Sequence, residues 1–247
     1  MDAVVDVPVP VNEAVLGYAP GSNERAAIES ALERMASDDP IDLTATIDGV
    51  SKPASGDPFD VRMPSDHSHI LGRAANATQS DATEAIDAAL AAAPGWAELG
   101  FEQRAAVFLR AADLLAGSWR DTSNAATMLG QGKTVQQAEI DAACELIDFW
   151  RFNVAFARRI FEDQPISSPG VWNKADYRPL EGFVYAVYSF QLHLDCRQSA
   201  DGAGIDGQRS HLEAESNPAI CRALHHAALG GGGTAARSDQ HAARGWP

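Results

Sequence analysis

Positive charge is scarce in this chain. Lys and Arg total 19 against 34 Asp and Glu, a formal net charge of -15. Binding to nucleic acid or to an anionic membrane surface requires cations that displace counterions from phosphates, so neither is expected as a partner. Cysteine is also scarce. Cys144, Cys196 and Cys221 are too few and too scattered for a disulfide framework, and no Cys-x-x-Cys pair is present to nucleate a zinc site. No apolar run approaches the ~20 residues that a membrane span needs. The opening "MDAVVDVPVPVNE" carries acids and prolines rather than a basic region ahead of an apolar stretch, so no signal peptide is expected and a cytoplasmic location is the default. What the 247 residues do have is a 45% apolar content, enough for one large core or two small ones.

The first 20 residues, rich in Val and Pro, read as an extended arm. "GSNERAAIESALERMASDD" comes next as a short helix that Ser22 or Asn23 can cap, with Ala27, Ile28, Leu32 and Met35 near helical spacing. Residues 41–50 and 60–77 alternate in polarity, with Pro and Gly interruptions, and predict short antiparallel strands. From Ser80 the signal is helical. "SDATEAIDAALAAAPGWAEL" opens with Asp81 and Glu84 at capping-box spacing and is expected to end at Pro94-Gly95. "FEQRAAVFLRAADLLAG" places Val107, Phe108, Ala111, Leu114 and Leu115 on one face. "VQQAEIDAACELIDFWRFNVAFARRIF" carries a stripe of Ile140, Ala143, Ile147, Trp150, Val154, Ala157 and Phe161 at alternating three and four spacing. Its length, over twenty residues, predicts a spine helix packed on its neighbours. "SSPGVWNKADYRPLEGFVYAV" then reads as a hairpin arm leading into a buried strand, Gly182 to Val187.

At Tyr188 the character changes. Residues 188–247 contain no Val, Lys or Met, yet hold five of the seven histidines, eight of the twenty glycines and two of the three cysteines. Neither a helical nor a strand period persists. On composition this segment reads as a flexible tail.

Several stretches mimic functional motifs. "GQGKT" (130–134) resembles the end of a phosphate-binding loop, but the Gly required five residues before the Gly-Lys pair is Thr127 here. The segment ahead of it also reads as helix, so a polar turn between helices is the expectation. Cys144 could be a nucleophile, but Glu139, Asp141 and Glu145 stand nearby. Negative neighbours raise a thiol pKa and blunt its reactivity, which favours a packed structural cysteine. Cys196, Cys221, His225 and His226 fit no zinc spacing, and the Gly run at 229–234 has no preceding strand. No metal ligand set is therefore expected. Glu145 and Asp148 lie off the apolar stripe of a largely buried helix, as a solvated face or a helix–helix ion pair would.

The segments "AAVFLRAADLLAG", "ATMLGQGKTVQQAEIDAACELIDFWRFNVAFA", "QPISSPGVWN" and "YRPLEGFVYAV" resemble the N-terminal part of the aldehyde dehydrogenases. More narrowly, "GQGKT…QAEIDAA" with "ELIDF" and "LEGFVYA" is similar to the L-glutamate γ-semialdehyde (Δ1-pyrroline-5-carboxylate) dehydrogenase branch. The resemblance spans roughly residues 1–187 and is weakest in the first 60. It implies an α/β fold: a helical layer, short strands and the first strand of a dinucleotide-binding sheet. It also implies NAD as cofactor, a small-molecule aldehyde substrate and a homo-oligomer. In such an enzyme a cysteine thiolate attacks the aldehyde, an Asn side chain and a backbone N–H hold the oxyanion, hydride passes to NAD, and water hydrolyses the thioester. Glu145 matches a position on the helix lining the substrate entrance, which implies a substrate-side role.

The family strand is expected to continue as Thr-Pro-Phe-Asn-Phe, where this chain reads "YSFQL". A one-base slip accounts for the difference. Tyr188 to His193, written TAC TCC TTT CAA CTT CAC, gives TPFNFT once the first base is dropped. With free synonymous choice the same shift turns residues 188–216 into TPFNFTSIAGNLPTAPALMGNAVIWKPS, and "LGGGGTAARSDQHAARGW" into LEAAGLPPGVINMLPGDG. Two family-like segments in the correct order make 188–247 an expected out-of-frame translation. The Cys/His cluster and Gly run are then by-products of the wrong frame. The division expected is thus 1–187, a truncated N-terminal part of the dehydrogenase with its arm, and 188–247, an irregular tail. On this reading the chain holds no catalytic residue, no cofactor-binding residue and no metal ligand, and is inactive. The alternative is a non-catalytic fragment that associates with full-length subunits.

Overall fold

The computed structural model describes residues 6–185. The expected tail, 188–247, lies outside the described residues, together with its Cys196, Cys221, His225, His226 and Gln191.

An extended arm (6–19) leads into helix α1, Asn23–Ser37. Ser22 is the N-cap, its hydroxyl accepting from the Arg25 N–H at 3.1 Å. Ile28 and Ala31 are buried against Ala125, with Leu32 and Met35 half-buried beside them. Ala27, expected on this face, is exposed, because Ala31 rather than Ala27 meets the neighbouring helix.

Five short strands come next: β1 Ile41–Asp42, β2 Ala45–Ile47, β3 Val50–Lys52, β4 Pro58–Met63 and β5 Asp66–Ala75. The β2–β3 pair is a tight antiparallel hairpin whose two-residue loop, Asp48-Gly49, has φ of 50° and 76°. Positive φ at both loop residues matches the twist of the flanking strands, which is why Asp-Gly stands there. β4 and β5 are also antiparallel, with register shifts around Arg62. β1 departs from the antiparallel expectation and pairs parallel with β5, through Ile41 and Asp42. A two-residue strand carries too little pattern to declare its direction.

Helix α2, Gln79–Glu98, differs from expectation at both ends. Its cap is Thr78, with Asp81 as the reciprocal partner: the Thr78 N–H donates to Asp81 at 2.8 Å, and the Asp81 N–H to the Thr78 hydroxyl at 3.3 Å. Ser55 adds its N–H and hydroxyl to the Asp81 carboxylate at 3.0 and 2.8 Å. Asp81 is thereby consumed by both a cap and a tether to the strand layer. The helix also runs through Pro94. A proline forfeits a single hydrogen bond, and Trp96, packed on the core, holds the last residues helical.

Helix α3 (Phe101–Ala116), helix α4 (Arg120–Gln131), the single turn α5 (Val135–Ala138) and helix α6 (Glu145–Glu162) complete the layer. The core lies between α3 and α6, where Ala105, Phe108, Ala111, Ala112 and Leu115 meet Ala143, Leu146, Ile147, Trp150, Val154 and Ala157. Burying each large side chain contributes about 1.5–3 kcal/mol, and the alanines let the helices approach closely. Val107 and Leu114 are only half-buried, and Arg104 takes a buried place on the same helix.

The expected spine helix carries an irregularity. Residues Glu139–Cys144 form a π-helical turn between α5 and α6. A π turn accommodates one extra residue and re-aims the helix beyond it. Ala142, Ala143 and Cys144 are consequently buried in succession, while Ile140, assigned to the stripe, is only half-buried and stands outside the α3–α6 core.

Beyond α6, residues 163–180 form an irregular excursion turning at Pro169-Gly170. Side chains rather than a strand ladder hold it: Asn173 donates to the Ile166 carbonyl at 2.8 Å, and Tyr177 to the Ile160 carbonyl at 2.6 Å. The buried strand expected from Gly182 is not seen in its described part. Gly182 has φ 89°, Phe183 and Tyr185 are exposed, and Val184 makes an isolated bridge. A strand of a parallel sheet is buried by neighbours on its flanks, and no described element flanks this one.

Candidate functional site

Ionisable groups converge where the arm crosses the start of α6. Glu139, the first residue of the π-helical turn, is fully buried. Its carboxylate accepts from the Leu16 N–H at 2.7 Å, the Tyr18 hydroxyl at 2.7 Å, the Asn124 amide at 2.8 Å and Arg120 Nε at 3.2 Å, with a further ion pair to Arg120 Nη2. Burial opposes this charge, but the Arg120 guanidinium and the three neutral donors outweigh it and draw the Glu139 carboxyl down to about 2. Burial and the same carboxylate together raise the Tyr18 hydroxyl above its ordinary value.

Arg120 opens α4 and spends its donors on the π-helical turn and the arm. Besides Glu139 it donates to Glu13 at 2.7 Å and to the Ala14 carbonyl at 2.7 Å. Glu13 bridges onward to Arg151 of α6 at 2.6 Å. Despite partial burial, these two guanidiniums hold its carboxyl below the usual range. Asp148 accepts from the Asn12 amide and the Glu13 N–H, both at 2.6 Å. It is half-buried and tethers the arm, rather than forming one side of a helix–helix ion pair.

Cys144 closes the π-helical turn. Its sulfur lies 3.4 Å from Arg120 Nη2 and 3.7 Å from the Ala14 carbonyl. Burial and the Glu139 charge push the thiol up to about 12, so at neutral pH it is the protonated, unreactive form.

Glu145 begins α6 and is half-buried. Asp141, Glu145 and Asp148 stand at i, i+4 and i+7, which places three carboxylates along one helix face. Burial raises the Glu145 carboxyl first, and Asp141 and Asp148 add to the effect against the opposing charge of Lys133. Lys133 itself is engaged by Asp141 at 2.7 Å. Among the described residues the Glu145 side chain has neither a hydrogen-bond nor an ion-pair partner. It is a carboxyl held near the surface with its own polar atoms uncommitted.

"GQGKT" is a helix junction. Gly132 ends α4 at φ 66°, its N–H donating to the Met128 carbonyl at 3.0 Å. Thr134 caps α5, its N–H donating to the Gln137 side chain at 2.9 Å. These amides are spent on caps and do not form a phosphate cradle. Among the described residues no cluster of His, Cys, Asp and Glu could hold a metal ion, and no helix is long and apolar enough to cross a membrane.

Sequence reading singles out Glu145, Asp148 and Cys144. It misses Arg120, Asn124, Tyr18, Glu13 and Arg151, and treats Glu139 only as a neighbour of Cys144. The available signal was Arg120, Asn124 and Thr127 at i, i+4 and i+7: a polar stripe beside Ala125 and Ala126 on a helix that must pack.

A profile of the aldehyde dehydrogenase family matches residues 51–194. The delta-1-pyrroline-5-carboxylate dehydrogenase of Agaricus bisporus is 43% identical over 191 residues, covering 77% of this chain and 35% of that protein. The mitochondrial enzyme of that name from Dictyostelium discoideum is 37% identical over 236 residues, covering 93% of this chain and 42% of that one. The crystal structure of the Mycobacterium tuberculosis delta-pyrroline-5-carboxylate dehydrogenase bound with NAD and cobalamin superposes with a TM-score of 0.87 at 49% identity, over 94% of this chain and 44% of that one. The chain thus spans less than half the length of each of these proteins.

Proposed function

Because the chain belongs to the aldehyde dehydrogenase family, we propose that its residues derive from an NAD-dependent enzyme that oxidises L-glutamate γ-semialdehyde, formed from pyrroline-5-carboxylate, to L-glutamate in proline catabolism. The observation that carries this reading is the 49% identity, at a TM-score of 0.87, to a pyrroline-5-carboxylate dehydrogenase. When bound, NAD supplies the hydride acceptor. The described residues supply the helical layer against which the remainder of such an enzyme packs. Glu145 is the residue we assign to the substrate side. Its uncommitted carboxyl, on a face shared with Asp141 and Asp148, can accept a hydrogen bond from a polar substrate entering beside α6.

We propose further that 1–187 and 188–247 are two reading frames of one gene, and that these 247 residues by themselves neither bind NAD nor turn over substrate. Supporting this are the compositional break at Tyr188 and the family profile, which ends at residue 194. The buried, protonated Cys144 is unsuited to nucleophilic attack. A second reading, a non-catalytic module that associates with full-length subunits, is favoured by the apolar side chains presented after α6: Ile166 is 93% exposed and Trp172 76%. The Dictyostelium match, which extends over 93% of the chain, sets the alternative to the frame slip. Re-reading the DNA across the codons for Val187 and Tyr188 decides between them. Removal of one base should open a frame beginning Thr-Pro-Phe-Asn-Phe. A shifted frame that closes within a few codons would overturn the proposal.

A further inference from the structure

The N-terminal arm is attached to the helical layer in an unusual way. Val9, Val11 and Val15 all face solvent. Among the described residues of the arm only Val7 and Tyr18 pack against the apolar clusters, and both are partly buried. The attachment is polar instead. Asn12 and the Glu13 N–H bind Asp148; the Glu13 carboxylate binds Arg120 and Arg151; the Ala14 carbonyl accepts from Arg120; the Leu16 N–H and the Tyr18 hydroxyl bind Glu139. Further out, Asp6 pairs with Arg158 at 2.6 Å.

The helical surface beneath the arm keeps its own charge pairing without it. Without the arm, Glu139 still has Arg120 and Asn124, and Arg120 still has Glu139. No buried charge would be left alone, which is the condition that makes removal of a charged partner costly. Glu13 and Arg151 would pass to water, where each is readily solvated. The α3–α6 core would lose only the contact of Val7. Segments held by few apolar contacts open locally, below the free energy of global unfolding.

We propose that residues 6–18 are a releasable strap, closed over the π-helical turn and Cys144 by the Glu13, Asp148 and Glu139 clasp, that opens as a unit while the helices remain folded. The Ala14 carbonyl sits 3.7 Å from the Cys144 sulfur, so opening uncovers the thiol and makes it a reporter of the strap.

The test is iodoacetamide labelling of the full 247-residue chain across a urea series. Peptide mapping separates Cys144 from Cys196 and Cys221, and far-UV circular dichroism follows the helices in parallel. The expected result is a Cys144 labelling rate that is flat in urea well below the helical transition. In Glu13→Gln, which weakens both guanidinium bridges, that flat rate should rise tenfold or more with the helical signal unchanged. Labelling that rises with urea from the outset, in step with loss of helix, would overturn the proposal. So would a folded Glu13→Gln variant that labels at the unsubstituted rate. If that variant does not fold, the urea series on the unsubstituted chain decides alone.

Discussion

Arg120 and Glu139 form a buried ion pair that joins the first turn of α4 to the π-helical turn before α6, and both residues also reach the N-terminal arm. Glu139 is 0% exposed and Arg120 5%. Breaking one side of such a pair leaves an uncompensated charge, at a cost of about 3–5 kcal/mol, whereas replacing both partners with apolar groups of similar size costs far less. Glu139→Ala and Arg120→Ala should therefore each lower the free energy of unfolding by about that amount in urea titrations. Arg120→Met with Glu139→Leu should lose less than either single change, despite the arm contacts it also removes.

Acid should act through the same carboxylate. Glu139 has an ordinary value of 4.5 and is lowered to about 2 in the fold. A group whose folded pKa is depressed contributes stability above its unfolded pKa and loses it as pH falls through the folded one. Urea midpoints should thus fall as pH drops from about 4.5 toward 2, with Asp81, lowered chiefly by the Thr78 N–H, adding to the slope. Glu139→Gln should be less stable at neutral pH but show a shallower acid slope.

Gly132 should resist substitution for a backbone reason. It ends α4 in the left-handed region at φ 66°. Gly132→Ala should cost roughly 1–2 kcal/mol from the left-handed conformation of an L-residue. Lys133→Ala, which removes an ion pair with Asp141, should cost under about 1 kcal/mol. Thermal or urea melts check both, and the unsubstituted chain should not bind a nucleoside triphosphate at this junction, because its amides are spent on caps.

The α3–α6 seam should behave as a tightly packed core. Leu115 and Ile147 are both 0% exposed. Leu115→Ala or Ile147→Ala should lower stability by about 2–5 kcal/mol, measured by urea unfolding. Ala27→Ser on the exposed side of α1 should be near neutral.

The apolar stripes of α3 and α6 were legible because burial on one face imposes a helical period that few alternatives share. The π-helical turn was not. Its residues Ala142, Ala143 and Cys144 are small and apolar, so the three-and-four spacing passes through it without a break. The β1–β5 pairing involves two residues per strand and leaves no pattern to read. The site was half legible. Glu145 stands out as a carboxyl on a packed helix, and Cys144 is identified as structural from its acidic neighbours. Glu139 looks like another surface acid, because its partners Leu16 and Tyr18 are more than 120 residues away in sequence. Only the path of the arm brings them together. The strand expected from Gly182 rests on its own apolar pattern, but burial belongs to the neighbours of a strand and not to its sequence alone.

If residues 188–247 are an out-of-frame translation, restoring the frame should restore the activity proposed for the family. The decisive measurement is NADH formation from glutamate semialdehyde, made on the 247-residue chain and on the product of the gene with one base removed at the Val187–Tyr188 junction. The first should show no turnover and the second NAD-dependent turnover, with Glu145→Ala in the second raising KM more than it lowers kcat. Turnover above background by the 247-residue chain, or none from the restored frame, would contradict the two-frame reading.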